Sequence, residues 1–215
     1  MPGQVTHPKV NRAKYAAELE AFQRDDARYR TLGVFLLTST YPVVTVAFAT
    51  PQIRPAGLLF AMRVDYTDFD LKPPSVRFVD PFDGHELKAS EMPTKMRRTV
   101  EQVLSVSHPP AGQGTDHPQV AVAVQPPPPM VVQTYPELLQ DYGPDTIPFL
   151  CLAGTREYHD HPGHSGDPWE LHRTTGAGSL ARLINIVRTY AVEPVGGWSV
   201  ELVPKVTFAF GQPPA

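Results

Sequence analysis

One stretch of 24 residues, from Phe149 to His172, holds most of the side chains in this sequence that could do chemistry. It contains the only cysteine, Cys151, together with Glu157 and half of the eight histidines. These four histidines are His159, His161, His164 and His172. A cysteine thiolate can carry an acyl group as a thioester, whereas imidazoles and a carboxylate can hold a metal ion or move a proton. We expect the function of the protein to lie in this stretch.

The residues around Cys151 allow two interpretations. In the first, its thiolate is a nucleophile and a good leaving group, so that it accepts an acyl group and passes it to an amine. In the second, the neighbours Phe149, Leu150 and Leu152 indicate a small apolar side chain packed at the end of a strand. These residues alone leave both interpretations open.

The histidine spacing, His-x-His-x-x-His, allows one loop to wrap a Zn²⁺ ion with imidazole nitrogens and a carboxylate as ligands. Two alternatives remain open. The polar, Pro- and Gly-containing loop is simply exposed to solvent, or its own carboxylates (Asp160, Asp167 and Glu170) accept hydrogen bonds from the imidazoles and hold it rigid. Because a zinc-bound thiolate is a poor acyl carrier, the two roles compete for Cys151. If both exist, the histidines and Glu157 hold the metal and the thiol is free.

Other enzyme classes do not fit the stretch. The run from His159 to His164 approaches the metallo-β-lactamase pattern His-x-His-x-Asp-His, but Gly163 stands in place of the aspartate and only 51 residues follow. A cupin needs its glutamate after the His-x-His pair, whereas Glu157 precedes it. The sequence also lacks a Gly-rich phosphate loop, a Gly-x-Ser-x-Gly elbow and a paired-cysteine zinc motif.

Regular elements upstream of the stretch must position it. The segment from Lys9 to about Arg30 has no Gly or Pro and places Tyr15, Leu19 and Phe22 on one face of an amphipathic helix. Three β-branched or aromatic runs follow, GVFLLTS, VVTVAFA and GLLFAMRVDY, which predict an antiparallel meander. Two prolines then lead into a short fourth strand, SVRFV.

A proline-rich insertion is predicted from about residue 85 to 146, within a single domain that spans residues 1–215. Inside it, Ser90 to Val106 predicts a short helix, and the alternating run QVAVAVQ at 119–125 predicts a strand. The four prolines at 126–129 predict an extended, polyproline-like segment.

A second amphipathic helix is predicted downstream of Cys151. Leu180, Leu183, Ile184 and Val187 follow the helical spacing, and Ser179 is the candidate N-cap. We expect Arg182 and Arg188 on the solvated face of this helix. Trp169 and Trp198 are interpreted as aromatic side chains that anchor the core or a loop.

Composition excludes several classes of function. The 19 basic and 22 acidic residues give a net charge of −3, and the basic residues form no dense cluster, so nucleic-acid binding is not supported. No apolar run approaches the roughly 18 residues that cross a membrane. A single cysteine forbids an intramolecular disulfide, and the N-terminus lacks the apolar core of a secretory signal, so we expect a cytoplasmic protein.

Two segments resemble ubiquitin-conjugating enzymes. The run TDFDLKPPSVRFVDP, preceded by Asp65-Tyr66, is similar to the turn, Pro-Pro and strand of that family. Phe149-Leu150-Cys151-Leu152, followed by Trp169 and the helix LARLINIV, resembles the segment that carries their active cysteine. The matches cover about half of the chain. The His-Pro-Asn tripeptide of the eukaryotic enzymes is absent, and the interval before the cysteine is expanded, which points to divergent bacterial relatives.

One such bacterial group resembles the stretch more closely, because it is predicted to bind metal through Cys, Glu, His and His. Cys151, Glu157, His161 and His164 supply that set in order, with His159 as an alternative first histidine. The resemblance implies a metal site, for which Zn²⁺ is the expected ion.

The expected fold is therefore α+β and similar to that of ubiquitin-conjugating enzymes: an N-terminal helix, an antiparallel meander of about four strands, a proline-rich insertion and a C-terminal helix. The expected function is a transferase that takes a ubiquitin-like protein from an activating enzyme as a thioester on Cys151. The resemblance also implies that Lys9, Arg12 and Lys14 on the first helix contact the activating enzyme. The alternative is a non-catalytic, metal-binding partner module of the same pathway.

Overall fold

The computed structural model describes residues 6–98, 100–104, 130–134 and 136–199, and these form a mixed α+β fold. The order is two N-terminal helices, a four-stranded antiparallel sheet, two pairs of short strands and C-terminal helices. The α+β prediction is confirmed. None of the described helices combines the length and apolarity needed to cross a membrane.

The N-terminal helix is divided in two. Helix α1 spans Pro8–Arg24 and helix α2 spans Asp26–Thr31, with Asp25 as the boundary residue between them. The sequence predicted one uninterrupted helix, but aspartate is favoured at helix ends and Asp25 leaves the helical conformation. The predicted apolar face is confirmed, since Tyr15 and Phe22 are buried. Tyr29 of α2 stacks on the Phe22 ring with centroids 4.7 Å apart.

The central sheet is a meander of β1 (Val34–Thr40), β2 (Val43–Ala49), β3 (Leu58–Asp65) and β4 (Ser75–Val79), in that spatial order. All four strands were predicted. The register aligns Val46 of β2 with Met62 of β3, and Met62 with Phe78 of β4, which puts apolar side chains in rows on the inner face. These rows form the middle of the hydrophobic core.

Four short strands follow β4: β5 (Val100–Leu104) pairs with β6 (Met130–Thr134), and β7 (Leu139–Gln140) pairs with β8 (Phe149–Leu150). The helix predicted over Ser90–Val106 is wrong, because residues 90–98 contain no helix and β5 begins at Val100. Its pairing with β6 outweighs the local helical preference. The run QVAVAVQ, the four prolines and the chain beyond residue 199 lie outside the described residues.

Both ends of the predicted insertion pack into the core, through Leu87 and Met96 on one side and Leu138 and Leu139 on the other. The insertion and the single domain stay predictions.

Helix α3 (Arg156–His159) is followed by two 3₁₀ turns, Pro162–His164 and Trp169–Leu171, by α4 (Leu180–Val187) and by a π-helical turn, Arg188–Val192. The prediction for α4 is confirmed: its four spaced apolar side chains are fully buried, and the Ser179 hydroxyl accepts a hydrogen bond from the Arg182 N–H. At the same end, Glu18 of α1 accepts from the Leu180 N–H at 2.9 Å. Helix α4 is thereby held against α1.

Candidate active-site loop

A loop of residues 151–179, called here the site loop, connects β8 to α4 and contains most of the predicted functional residues. It begins at the core, where the Cys151 N–H donates to the Leu138 carbonyl at 2.7 Å. The buried Thr155 hydroxyl contacts the carbonyls of Leu150 and Leu152 at 2.9 and 3.0 Å. Because these bonds fix the backbone on both sides of Cys151, the position of the thiol is determined by the core.

Helix α3 is fastened to the start of β4. The Arg156 N–H donates to the Pro74 carbonyl at 2.8 Å, and its guanidinium donates to the Thr67 carbonyl at 2.6 Å. Glu157 accepts from the Ser75 hydroxyl and the Val76 N–H, and forms a salt bridge with Arg77 at 2.8 Å. The Pro-Pro segment and the cysteine segment, which the sequence resemblance linked, are therefore in direct contact.

Cys151 and His164 form the central pair of the site. The half-buried Cys151 Sγ lies 3.3 Å from His164 Nε2, a distance at which a thiol and an imidazole form a hydrogen bond. Burial raises the pKa of the Cys151 thiol, and the positive charge of Arg98 offsets part of that rise. The thiol is therefore mainly protonated at neutral pH, and a base beside it could remove the proton as it reacts.

His164 is held by an aromatic side chain. The Tyr158 ring stacks on its imidazole with centroids 3.9 Å apart and an interplanar angle of 19°. The Tyr158 hydroxyl donates to Asp167 at 2.8 Å, and His172 Nε2 donates to the other carboxylate oxygen at 2.6 Å. The hydrogen bond from His172, reinforced by that from Tyr158, lowers the pKa of Asp167, whereas burial and the bond to Asp167 raise the pKa of Tyr158 to about 12.

His159 has both ring nitrogens in use. The Gly154 N–H donates to Nε2 at 3.1 Å, so Nδ1 carries the hydrogen and donates it to the Asp167 carbonyl at 2.9 Å. Burial lowers the pKa of His159, which favours this neutral form. His159 therefore bonds one part of the loop to another, through a backbone carbonyl and not through one of the carboxylates that the sequence suggested as acceptors.

His161 also has partners for both nitrogens. The Gly163 N–H donates to Nδ1 at 3.1 Å, so Nε2 donates to the Tyr142 hydroxyl at 2.8 Å. Its ring stacks on Phe149 with centroids 5.6 Å apart and lies 5.4 Å from the His164 ring. An open groove of about 650 Å³ runs along this aromatic surface, and its lining includes Tyr142, His161 and Arg77.

The structure brings together only part of the predicted metal set of Cys151, Glu157, His159, His161 and His164. The sulfur and the His164 nitrogen are adjacent, whereas the other three side chains bond to the partners given above. Within the described residues, a separate group has three potential ligand atoms within 4.8 Å of one another, and it consists of Asp80, Asp83 and His85 in the turn after β4. The Cys/Glu/His/His site stays a prediction, and it requires Glu157 and one further histidine, His161 or His159, to change partners.

Two supporting residues were missed or misplaced by the sequence. Arg182 was predicted on the solvated face of α4, but its guanidinium donates to the carbonyls of Ala153 and Ala177, at 2.9 and 2.6 Å. Burial lowers the pKa of this group. Thr155 carried no signal, because a threonine after a glycine is ordinary in a loop.

Trp169 is buried and donates to the Asp70 carbonyl at 2.8 Å, which confirms its prediction as an anchor.

Comparison with known proteins identifies the family of this chain. A family profile described as Y4jH-like, Y4jH family, matches residues 6–195. The chain is also 34% identical over 199 residues to "Uncharacterized protein y4jH" of Sinorhizobium fredii (strain NBRC 101917 / NGR234). The alignment covers 93% of this chain and 90% of the relative. Both matches include the site loop, and the chain belongs to the Y4jH family.

Proposed function

We propose that the protein is a transferase of the ubiquitin-conjugating type, in which Cys151 accepts a ubiquitin-like protein as a thioester from an activating enzyme and passes it to an amine. The observation that carries the proposal is the contact of 3.3 Å between Cys151 Sγ and His164 Nε2. A thiol beside an imidazole, on a loop fixed by the core, is one of the arrangements that activate a cysteine as a nucleophile. A cytoplasmic location is part of the same proposal.

The order of the elements supports this reaction. An N-terminal helix, a four-stranded meander, a Pro-Pro entry into β4, a cysteine at the end of a strand and a following helix occur in the sequence expected for a conjugating enzyme. The cysteine is half-buried, so a protein partner can reach it. On the proposed partner-binding helix, Lys9 is exposed, Arg12 lies 4.3 Å from the Tyr41 ring centroid, and Lys14 forms a salt bridge with Asp70.

The test is a charging reaction with an activating enzyme and a ubiquitin-like protein of the same organism, in the presence of ATP. We expect a covalent adduct that a thiol reductant releases and that is missing in Cys151→Ala. His85→Gln is a suitable control, because His85 is exposed in the turn after β4. An adduct that persists in Cys151→Ala, or no adduct with the wild type, would contradict the proposal.

A second candidate is a non-catalytic, metal-binding module of the same pathway. The observation in its favour is also the Cys151–His164 pair, since a sulfur and a nitrogen bound to one tetrahedral Zn²⁺ lie about 3.5 Å apart given the usual bond lengths. Glu157 and one further histidine, His161 or alternatively His159, would supply the remaining two ligands after changing partners. In that state the thiolate is coordinated to the metal and cannot carry an acyl group.

Elemental analysis of the purified protein distinguishes the two candidates. One equivalent of zinc per chain that is lost in both Cys151→Ser and His164→Gln would favour the metal module. A metal content well below one equivalent, with a thiol that reacts freely with an alkylating reagent, would exclude it and leave the transferase.

A further inference from the structure

His164 differs from the other histidines of the site loop in the partner of its ring nitrogen Nε2, which is the Cys151 sulfur. His159 and His161 use both ring nitrogens in bonds to the backbone or to Tyr142, and His172 Nε2 donates to Asp167. Only His164, among the described histidines, has a ring nitrogen in contact with the Cys151 sulfur. The sequence spacing gave no reason to prefer it over its neighbours.

The surroundings of His164 hold its ring in one plane. Tyr158 covers one face of the imidazole, at 3.9 Å between centroids. Tyr158 is itself fixed at its far end, because its hydroxyl donates to Asp167, which also accepts from His172. Because Tyr158 is fixed at both ends, the His164 ring that stacks on it is already held in one orientation. The imidazole therefore loses little freedom when it has to receive a proton from a fixed direction.

We propose that His164 is the general base that activates Cys151, and that Tyr158 is the positioning residue that aims the imidazole at the sulfur. This inference rests on the proposed function for its biological acyl donor, a thioester on the activating enzyme. His164 and Tyr158 act on the Cys151 thiol and not on the acyl donor. The same two residues should therefore promote attack of the thiol on any activated acyl group.

The reaction balances without a cofactor. The Cys151 S–H proton moves to His164 Nε2 as the sulfur attacks the acyl carbonyl. A new carbon–sulfur bond forms, and the bond between that carbon and the leaving group breaks. When the donor is a thioester, the leaving thiolate takes the proton back from the imidazolium, and His164 returns to its neutral form.

A small aryl ester tests the base independently of the conjugation pathway. With p-nitrophenyl acetate, acylation of Cys151 releases one p-nitrophenolate per protein in a burst that is followed by absorbance. We expect His164→Gln to lower the burst rate constant on the order of 100-fold, because positioned bases contribute about 10²–10⁴-fold. His85→Gln should retain the wild-type rate, and Cys151→Ala should show no burst.

Chemical rescue separates a base from a structural residue. In His164→Gly, imidazole added to the buffer should restore part of the lost rate in proportion to its concentration, whereas the same addition should leave the wild type almost unchanged. A burst rate in His164→Gln equal to that of the wild type would overturn the proposal. A loss of rate in His164→Gly that imidazole fails to restore would overturn it as well.

The positioning role is tested at Tyr158 with two variants. Tyr158→Phe keeps the ring that stacks on His164, and we expect a burst rate within about twofold of the wild type. Tyr158→Leu removes the ring and should lower the rate by roughly 2- to 13-fold, the range that corresponds to about 0.5–1.5 kcal/mol for one aromatic pair. Equal rates in Phe and Leu variants would show that the stack does not aim the imidazole.

Failure of this inference and failure of the proposed function give different results. If the wild type shows the burst, and His164→Gln loses it, but the ubiquitin-like protein never becomes attached, the base is supported and the conjugation pathway is wrong. If the ubiquitin-like protein attaches to Cys151 equally well in wild type and His164→Gln, the pathway is supported and the base is wrong.

Discussion

The sheet region and the site loop are held together by different forces. In the sheet, Phe48, Phe60 and Phe78 pack ring against ring, with neighbouring centroids 5.4 and 5.5 Å apart, in the same buried cluster as the apolar side chains of α4. In the site loop, the positions of Cys151 and His164 depend on hydrogen bonds and ring contacts of individual side chains. Apolar burial is non-directional, whereas a hydrogen bond weakens steeply with misalignment.

This difference implies that stability and reactivity can be changed separately. Substitutions in the sheet should lower the free energy of unfolding without changing the thiol chemistry of molecules that remain folded. Substitutions at the anchors of the loop should alter the acylation rate with a smaller effect on unfolding. The predictions below address both halves of this comparison.

Phe60→Ala should have the largest effect on stability. The side chain is fully buried and contacts both Phe48 and Phe78, so its removal leaves a cavity in the centre of the core. We expect a loss of about 3–5 kcal/mol in the free energy of unfolding, measured by urea denaturation. The ester burst rate, measured at a temperature where the variant is folded, should stay at the wild-type value. A burst rate that falls with the stability would show that the two regions are coupled.

Gly154→Ala should disturb the loop at a point where the backbone requires glycine. Its φ is +111°, and an added Cβ would lie 2.3 Å from the Ala177 carbonyl oxygen. Such strain costs about 1–3 kcal/mol, and the burst rate should fall because Gly154 follows Cys151 by three residues and bonds to His159. Gly166→Ala is the matched control, since no atom beyond the adjacent residues lies within 4 Å of an added Cβ there. Equal behaviour of the two variants would contradict the expected role of Gly154.

The sequence predicted most of the sheet region. Strands β1 to β4 were recognisable because β-branched and aromatic runs alternate with prolines, and α4 because Leu180, Leu183, Ile184 and Val187 are periodic. These signals are local and repeat along the chain. The division of the first helix at Asp25 was missed, although aspartate is favoured at helix ends. The pairing of β5 with β6 was missed because it joins segments about 30 residues apart, which local preferences do not contain.

The site loop was located by its residue types but not by its geometry. The sequence identified Cys151 and the histidines as the reactive set, and it recognised that Asp167 could accept from imidazoles. It could not tell that His164, rather than His159 or His161, faces the sulfur. That choice depends on hydrogen bonds to backbone groups, such as Gly154 and Gly163, whose directions have no periodic signature.

Thr155→Val should have a moderate effect that is concentrated in the loop. Valine keeps the shape of the side chain but removes the hydroxyl that contacts the Leu150 and Leu152 carbonyls. Because the threonine is fully buried, we expect a loss of about 1–2 kcal/mol in the free energy of unfolding. The burst rate should fall as well, and Thr155→Ser, which retains the hydroxyl, should recover most of it. A rate in Thr155→Val equal to that of the wild type would mean that the core does not fix the thiol.

The smallest expected effects come from two carboxyl groups whose pKa values move in opposite directions. Burial raises the pKa of Glu18, at the α1–α4 contact, above its ordinary value of 4.5. The contribution of Glu18 to stability is therefore present below pH 4.5 and is lost as the pH rises through the folded-state pKa. At Asp70, beside the site loop, burial is outweighed by Lys14 and Arg173, and the pKa lies below 3.8. Its contribution is present above that value and is lost as the pH falls through the lower, folded-state pKa.

Urea unfolding of Glu18→Gln and Asp70→Asn, at several pH values between about 3 and 6, should reveal these opposite signs. The stability of the wild type relative to Glu18→Gln should decrease as the pH rises, because the buried carboxylate becomes charged. Its stability relative to Asp70→Asn should decrease as the pH falls, because the salt bridges of the carboxylate with Lys14 and Arg173 are lost. If the relative stability changed with pH in the same direction for both variants, the contrast would be contradicted. In that contrast, the α1–α4 contact at Glu18 disfavours a charge, whereas the polar contacts of Asp70 beside the site loop depend on one.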